Sequence, residues 1–220
     1  MRQWMCCWTR RRIWSSALVA SFFRMGHAFI TLRRLDQAER VAAEAIHALS
    51  PLAELHDCPP ETLSLYGAMH VILSVVYARE GNRQATRRTL DQARQIAARV
   101  GPGRNDYNTE FGPTNVELYA VAAAVDLGDA GEALDLARQI DAACLSPERQ
   151  SRLHLDLARA HLQRRHLGEA VGALLDAERA APEQIQTHTF ARDTARELLN
   201  LTGRRATPEL IELARRIGAT

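Results

Sequence analysis

The sequence has no lysine: all 28 of its basic side chains are arginine, set against 26 acidic ones, for a formal net charge of +2. That near balance excludes the strongly basic field by which a whole domain grips nucleic acid. An arginine-only set fits a GC-rich coding sequence. It also suits an acidic ligand, because the guanidinium fork matches carboxylates. Only four cysteines occur, Cys6, Cys7, Cys58 and Cys144, and none has CxxC spacing. A zinc knuckle and a disulfide framework are therefore not indicated, and adjacent Cys6 and Cys7 read as free thiols rather than acylation sites. The absence of a membrane-spanning run, together with reduced cysteines, points to a cytoplasmic protein without membrane contact. A nucleophile elbow, HExxH and a phosphate-binding glycine loop are also missing. The expectation is a non-enzymatic protein with no cofactor and no metal.

One stretch imitates an export signal: Thr9-Arg10-Arg11-Arg12-Ile13-Trp14 precedes an apolar segment at 15–23. That segment stops at Arg24 and no small-x-small cleavage site follows, so it reads as part of an amphipathic helix.

Ala, Leu, Arg and Glu, all good helix formers, dominate what is present, and 46% of residues are hydrophobic. A folded all-α chain follows. Apolar periodicity predicts helices over 17–32, 36–49, 61–79, 84–100, 114–127, 132–142, 147–164, 168–180, 187–201 and from 207 to Gly218. Breaks fall at 50–60, which carries three prolines, at Gly81-Asn82 and at 101–113. Start signals are a capping box from Thr114 to Glu117, Ser146-Pro147-Glu148 and Thr207-Pro208-Glu209. Leu35-Asp36-Gln37-Ala38, Ala130-Gly131-Glu132-Ala133 and Leu167-Gly168-Glu169-Ala170 repeat one pattern. Each places a small alanine where a second helix must approach its partner, the self-similarity of a solenoid.

These residues resemble the tetratricopeptide repeat. The fourth pair matches through Leu157, Ala158, Ala170, Leu174, Ala177 and Pro182, and the first through Met25, Gly26, Phe29, Ala38, Ala42 and Ala45. The third offers Gly128, Ala133 and Ala137. The second offers Tyr77, Gly81, Leu90 and Ala93, with Thr86 where alanine is usual. The resemblance implies an all-α, TPR-like helical-hairpin solenoid of about four pairs, at 17–50, 61–100, 113–145 and 147–182. A basic, Trp-rich segment at 1–16 precedes them and capping helices at 183–220 follow.

Further motifs are Leu63-Ser64-Leu65-Tyr66-Gly67-Ala68, Arg104-Asn105-Asp106, Phe111-Gly112-Pro113-Thr114-Asn115-Val116 and residues 184–188. They resemble the C-terminal sensor half of actinobacterial XRE-type helix-turn-helix regulators, which implies a link to transcriptional control. Sixteen residues ahead of the first repeat helix are too few for a helix-turn-helix, so no direct DNA binding is expected from this chain.

In the repeat register, the first helix of each pair lines a concave groove. The positions are His27, Ile30 and Thr31, then Val71, Val75 and Arg79. Asn115, Leu118 and Asp126 follow, and then Arg152, Leu155, Arg159 and Gln163. An apolar floor with Asn and Arg suits an extended peptide, so the expected partner is a peptide or protein. A self-assembling scaffold, a homo-oligomer, is the alternative. His154 and His161 lie on one helical face and are expected as core imidazoles with one hydrogen bond each. Trp4, Trp8 and Trp14 are expected to cap the open end of the array.

Overall fold

A computed structural model describes residues 16–219. The N-terminal tryptophans, Arg10 to Arg12, Cys6 and Cys7 lie outside the described residues, as does the cap expected of them. Every regular element among the described residues is helical. In chain order these are α1 (Ser16–Thr31), α2 (Leu35–Ala53), α3 (Pro60–Arg79), α4 (Arg83–Val100), α5 (Pro113–Asp126) and α6 (Ala130–Ala137). Then follow α7 (Pro147–Gln163), α8 (Leu167–Ala180), α9 (Pro182–Thr187), α10 (Thr189–Thr202) and α11 (Pro208–Arg216).

Four three-residue turns, joining α1 to α2, α3 to α4, α5 to α6 and α7 to α8, share one geometry. The middle residue is left-handed in each: Arg33 (φ 57°), Gly81 (74°), Gly128 (81°) and Arg165 (60°). The next residue donates its N–H to the carbonyl five back: Arg34 to Phe29, Asn82 to Tyr77, Asp129 to Ala124 and His166 to His161, at 2.8–2.9 Å. This satisfies carbonyls that a helix end leaves open. That same residue then accepts the first bond of the following helix, from Ala38, Thr86, Ala133 and Ala170 at 3.0–3.1 Å. All four donors are buried. Thr86 fits an alanine site because its hydroxyl donates to the Asn82 carbonyl (2.9 Å).

The chain divides into two compact units, Met1–Tyr119 and Ala120–Thr220, a division that falls inside α5. In the first, α3 packs against α1, α2 and α4 and is buried around most of its circumference. It is long and apolar enough to cross a membrane, but it is mostly enclosed by its neighbours. Tyr77 of α3 donates to Glu39 of α2 (2.9 Å), and burial together with that carboxylate pushes the phenol up to about 12. In the second unit, α7 packs on α6 and α8, while α10 and α11 close the core over Leu155, Leu174, Leu198, Leu210 and Leu213.

Several boundaries differ from expectation. α2 continues through Pro51 to Ala53, because Leu49 and Ala53 share its buried face and outweigh one lost backbone bond. α6 stops at Ala137, where Asp141 accepts from the Ala143 N–H and starts a separate 3₁₀ turn. No capping box forms at Thr114: α5 begins at Pro113, the Gly112 carbonyl accepts from Val116, and Glu117 pairs with Arg94. Ser146 stands at the start of α7, but its hydroxyl is buried without a partner. Thr207 does cap α11, accepting from the Leu210 N–H (3.3 Å).

Candidate functional site

The expected groove residues separate by chemistry. Val71, Val75, Leu118 and Leu155 are buried, so they are packing residues rather than a floor presented to a ligand. On a helix buried around most of its circumference, the register's inward positions face other helices. Ile30 is buried likewise. Asn115 is also buried, its amide N–H reaching the Thr109 carbonyl at 3.5 Å.

The polar candidates are brought together in two groups. In the first unit, the Tyr119 hydroxyl lies 3.3 Å from His27 Nε2, Thr31 donates to the His27 carbonyl (2.9 Å), and Arg79 donates to the Ile30 carbonyl (3.0 Å). Phe23 packs edge-on against His27 at 4.6 Å between centroids. The Arg79 bond pins the end of α3 to the end of α1, and the Tyr119 contact joins α5 to α1.

The second group forms a denser network in the second unit. Arg152, Asp156, Arg159 and Gln163 recur at intervals of four, three and four, so one face of α7 carries all of them. Arg159 donates from Nη1 to Asp156 (3.0 Å) and from Nη2 to Asp126 (2.5 Å), and its guanidinium lies 4.3 Å from the Phe190 ring centre. Arg152 Nε donates to the other Asp156 oxygen (3.2 Å). Its Nη1 sits 3.3 Å from His188 Nε2, and because a guanidinium cannot accept, that nitrogen takes the hydrogen bond. Gln163 Nε2 donates to the Val125 carbonyl (2.9 Å).

Side-chain exposure is 2% for Asp156, 9% for Asp126 and 15% for Arg159, against 36% for Arg152. Burial pulls the Arg159 pKa down, but the charges of Asp156 and Asp126 together outweigh it and leave the guanidinium held more firmly protonated than usual. Arg159 is thus committed to two buried carboxylates and an aromatic face. It braces the site and is not available to clamp a ligand. Arg152 keeps Nη2 without a partner among the described residues, and Gln163 is exposed.

Asp156, His188 and Phe190 join this site without having been expected in it. Asp156 was detectable, lying four after one arginine and three before the other. His188 and Phe190 carry no such signal, since only the docking of α10 on α7 brings them close. His154 and His161 are half-buried rather than core imidazoles. His161 Nδ1 has no partner, and burial lowers that ring's pKa. Among the described residues, no group of three His, Cys, Asp or Glu is placed to hold a metal ion. No protein-family model matches the chain, and no curated protein matches it.

Proposed function

We propose that this chain is a non-enzymatic, cytoplasmic regulatory module of tetratricopeptide-like helix pairs that binds a peptide or protein partner. The repeat reading is supported by the four turns of equal geometry, each followed by a buried small residue at the same offset. The motif likeness to the sensor half of XRE-type regulators supports a place in transcriptional control.

The observation that carries the binding reading is the α7 face. Its buried Asp156–Arg159–Asp126 core fixes the helix surface, while Arg152 offers an unused Nη2 and Gln163, about three turns further along the same face, an exposed side-chain amide. A guanidinium edge recognises a carboxylate through charge-assisted bonds, and a side-chain amide pairs with a peptide group. Anisotropy titration against a panel of fluorescein-labelled nonapeptides with acidic C-termini tests this. Arg152→Ala is expected to weaken binding about tenfold, the loss of one charge-assisted hydrogen bond. Equal affinity in wild type and variant, or no binding across the panel, rejects the site.

A self-assembling scaffold is the second reading. Its support is the exposure of Leu32 and Leu55 in the first unit and of Leu201 and Ile211 in the second. It requires a mass that rises with concentration in light scattering, and a strict monomer across the micromolar range removes it.

A further inference from the structure

Within the first unit, α3 and the first turn of α5 form a seat that the chain fills with its own loop, residues 104–111. Asp106 accepts from the Ser64 hydroxyl of α3 (2.8 Å) and from Arg104 Nε and Nη2 (both 2.8 Å). Phe111 is fully buried against Gly67 of α3, so close that a Cβ there would lie 2.0–2.7 Å from three ring carbons. The Thr109 carbonyl receives the Asn115 amide at 3.5 Å.

The fit is incomplete in two independent ways. Asn115 is only 7% exposed, yet its Oδ1 is buried without a partner. The N–H groups flanking the Thr109 carbonyl are engaged elsewhere: Thr109 N–H donates to the Asp106 carbonyl (3.1 Å) and Glu110 N–H to Asn105 Oδ1 (3.0 Å). Three non-glycine residues of the loop are also held left-handed: Tyr107 (φ 53°), Asn108 (57°) and Glu110 (48°). Such conformations persist only where surrounding contacts enforce them. An extended segment offers a carbonyl and an N–H together to one side-chain amide and needs no left-handed residue.

We propose that the loop at 104–111 is a built-in stand-in for a peptide partner, and that an extended segment bearing an acidic residue and an aromatic one two positions later displaces it. The spacing follows from geometry. Ser64 and Gly67 are three residues apart on one face of α3, and two positions is the shortest separation that puts both side chains of an extended chain on the same side. The carboxylate takes the Ser64 hydroxyl, the ring takes the open face of Gly67, and the backbone between them pairs with both ends of the Asn115 amide. The loop sets affinity by holding the seat closed, since only the open fraction binds. This proposal rests on the peptide-binding reading above, but it concerns a different surface.

The test uses the full chain and a fluorescein-labelled nonapeptide with a central Asp-Thr-Phe flanked by Gly and Ser, followed by anisotropy. Asn108 is exposed and lies off the seat, so it tunes the loop alone. Asn108→Val places a β-branched side chain at positive φ and is expected to bind the probe about tenfold more tightly than wild type. Asn108→Gly relieves strain and is expected to bind several-fold more weakly. A probe with Phe replaced by Ala should not bind, and Gly67→Ala in the Asn108→Val background should abolish binding by filling the ring's seat. Equal affinity across the Asn108 series overturns the proposal, as does no binding to a folded Asn108→Val chain. Should Asn108→Val unfold, wild type against Asn108→Gly decides the matter in the same way. A flat Asn108 series beside Arg152-dependent binding of acidic peptides rejects the loop proposal and leaves the α7 site standing.

Discussion

At two of the four equivalent turns, arginine holds the left-handed conformation that glycine holds at the other two. A side-chain-bearing residue in that region costs about 1–2 kcal/mol, from its Cβ against the following carbonyl. Glycine removes this cost but adds about 0.5–1 kcal/mol of unfolded-state entropy to be lost on folding. Arg33→Gly and Arg165→Gly should therefore each stabilise the chain by about 0.5–1 kcal/mol. Both guanidinium groups are exposed, and neither makes a hydrogen bond or ion pair among the described residues, so little is lost with the side chain. The sites lie in different compact units and act on separate turns, so the double variant should gain about 1–2 kcal/mol. The mirror experiment is equally clean. A Cβ at Gly81 or Gly128 meets no atom within 4 Å, so Gly→Ala there reports the same balance of backbone strain and unfolded-state entropy without a steric clash, and should cost about 0.5–1 kcal/mol. Urea unfolding followed by far-UV circular dichroism measures all of these. Arg165→Ala separates the two contributions, because it removes the guanidinium and keeps the strain. The reasoning is refuted if Arg→Gly is neutral or destabilising, or if Arg165→Ala stabilises as much as Arg165→Gly.

Three further outcomes follow from the packing. Arg159→Met should cost about 3 kcal/mol by leaving buried carboxylates short of their cation, and adding Asp126→Asn should restore part of it; equal stability of Arg159→Met and wild type in urea would sink the bracing role. Gly67→Ala should cost about 1–3 kcal/mol through its collision with Phe111, with partial recovery on combining it with Phe111→Leu; full additivity of the two changes would mean that they do not touch. His70 is 8% exposed, neither ring nitrogen has a partner, and burial lowers its pKa to about 4. Its neutral form is the one the fold accepts, so stability relative to His70→Phe should be flat above the unfolded pKa of about 6.5. It should then decline by about 3 kcal/mol as pH falls to about 4, and parallel pH–stability curves for the two proteins would contradict this.

The helices were legible because their causes are local. Thr207-Pro208-Glu209 started α11 as expected, and the Ala38, Ala133 and Ala170 motifs marked the sites where a second helix closes on its partner. Thr86 looked like a defect in that series and is not one, since its hydroxyl is absorbed by the turn behind it. Local signals failed where a distant partner competed. Glu117 gave up its capping role because Arg94 offers it a bidentate ion pair (2.8 and 2.9 Å). α2 ran past a proline because its apolar face had somewhere to go.

The site followed the same division. Sequence periodicity alone determined that Arg152, Arg159 and Gln163 share one face of a helix, since 3.6 residues per turn allows nothing else. It also placed the helices that the four short turns join, though not every boundary between helices. Whether a residue on such a face meets solvent, a carboxylate or another helix was decided only by tertiary packing. Burial made Val71, Val75, Leu118 and Leu155 core, and committed Arg159 to Asp126 and Asp156. It also folded Phe111 onto Gly67 across 44 positions of sequence. Periodicity is a property of neighbours along the chain, whereas desolvation and charge pairing depend on elements far apart in it.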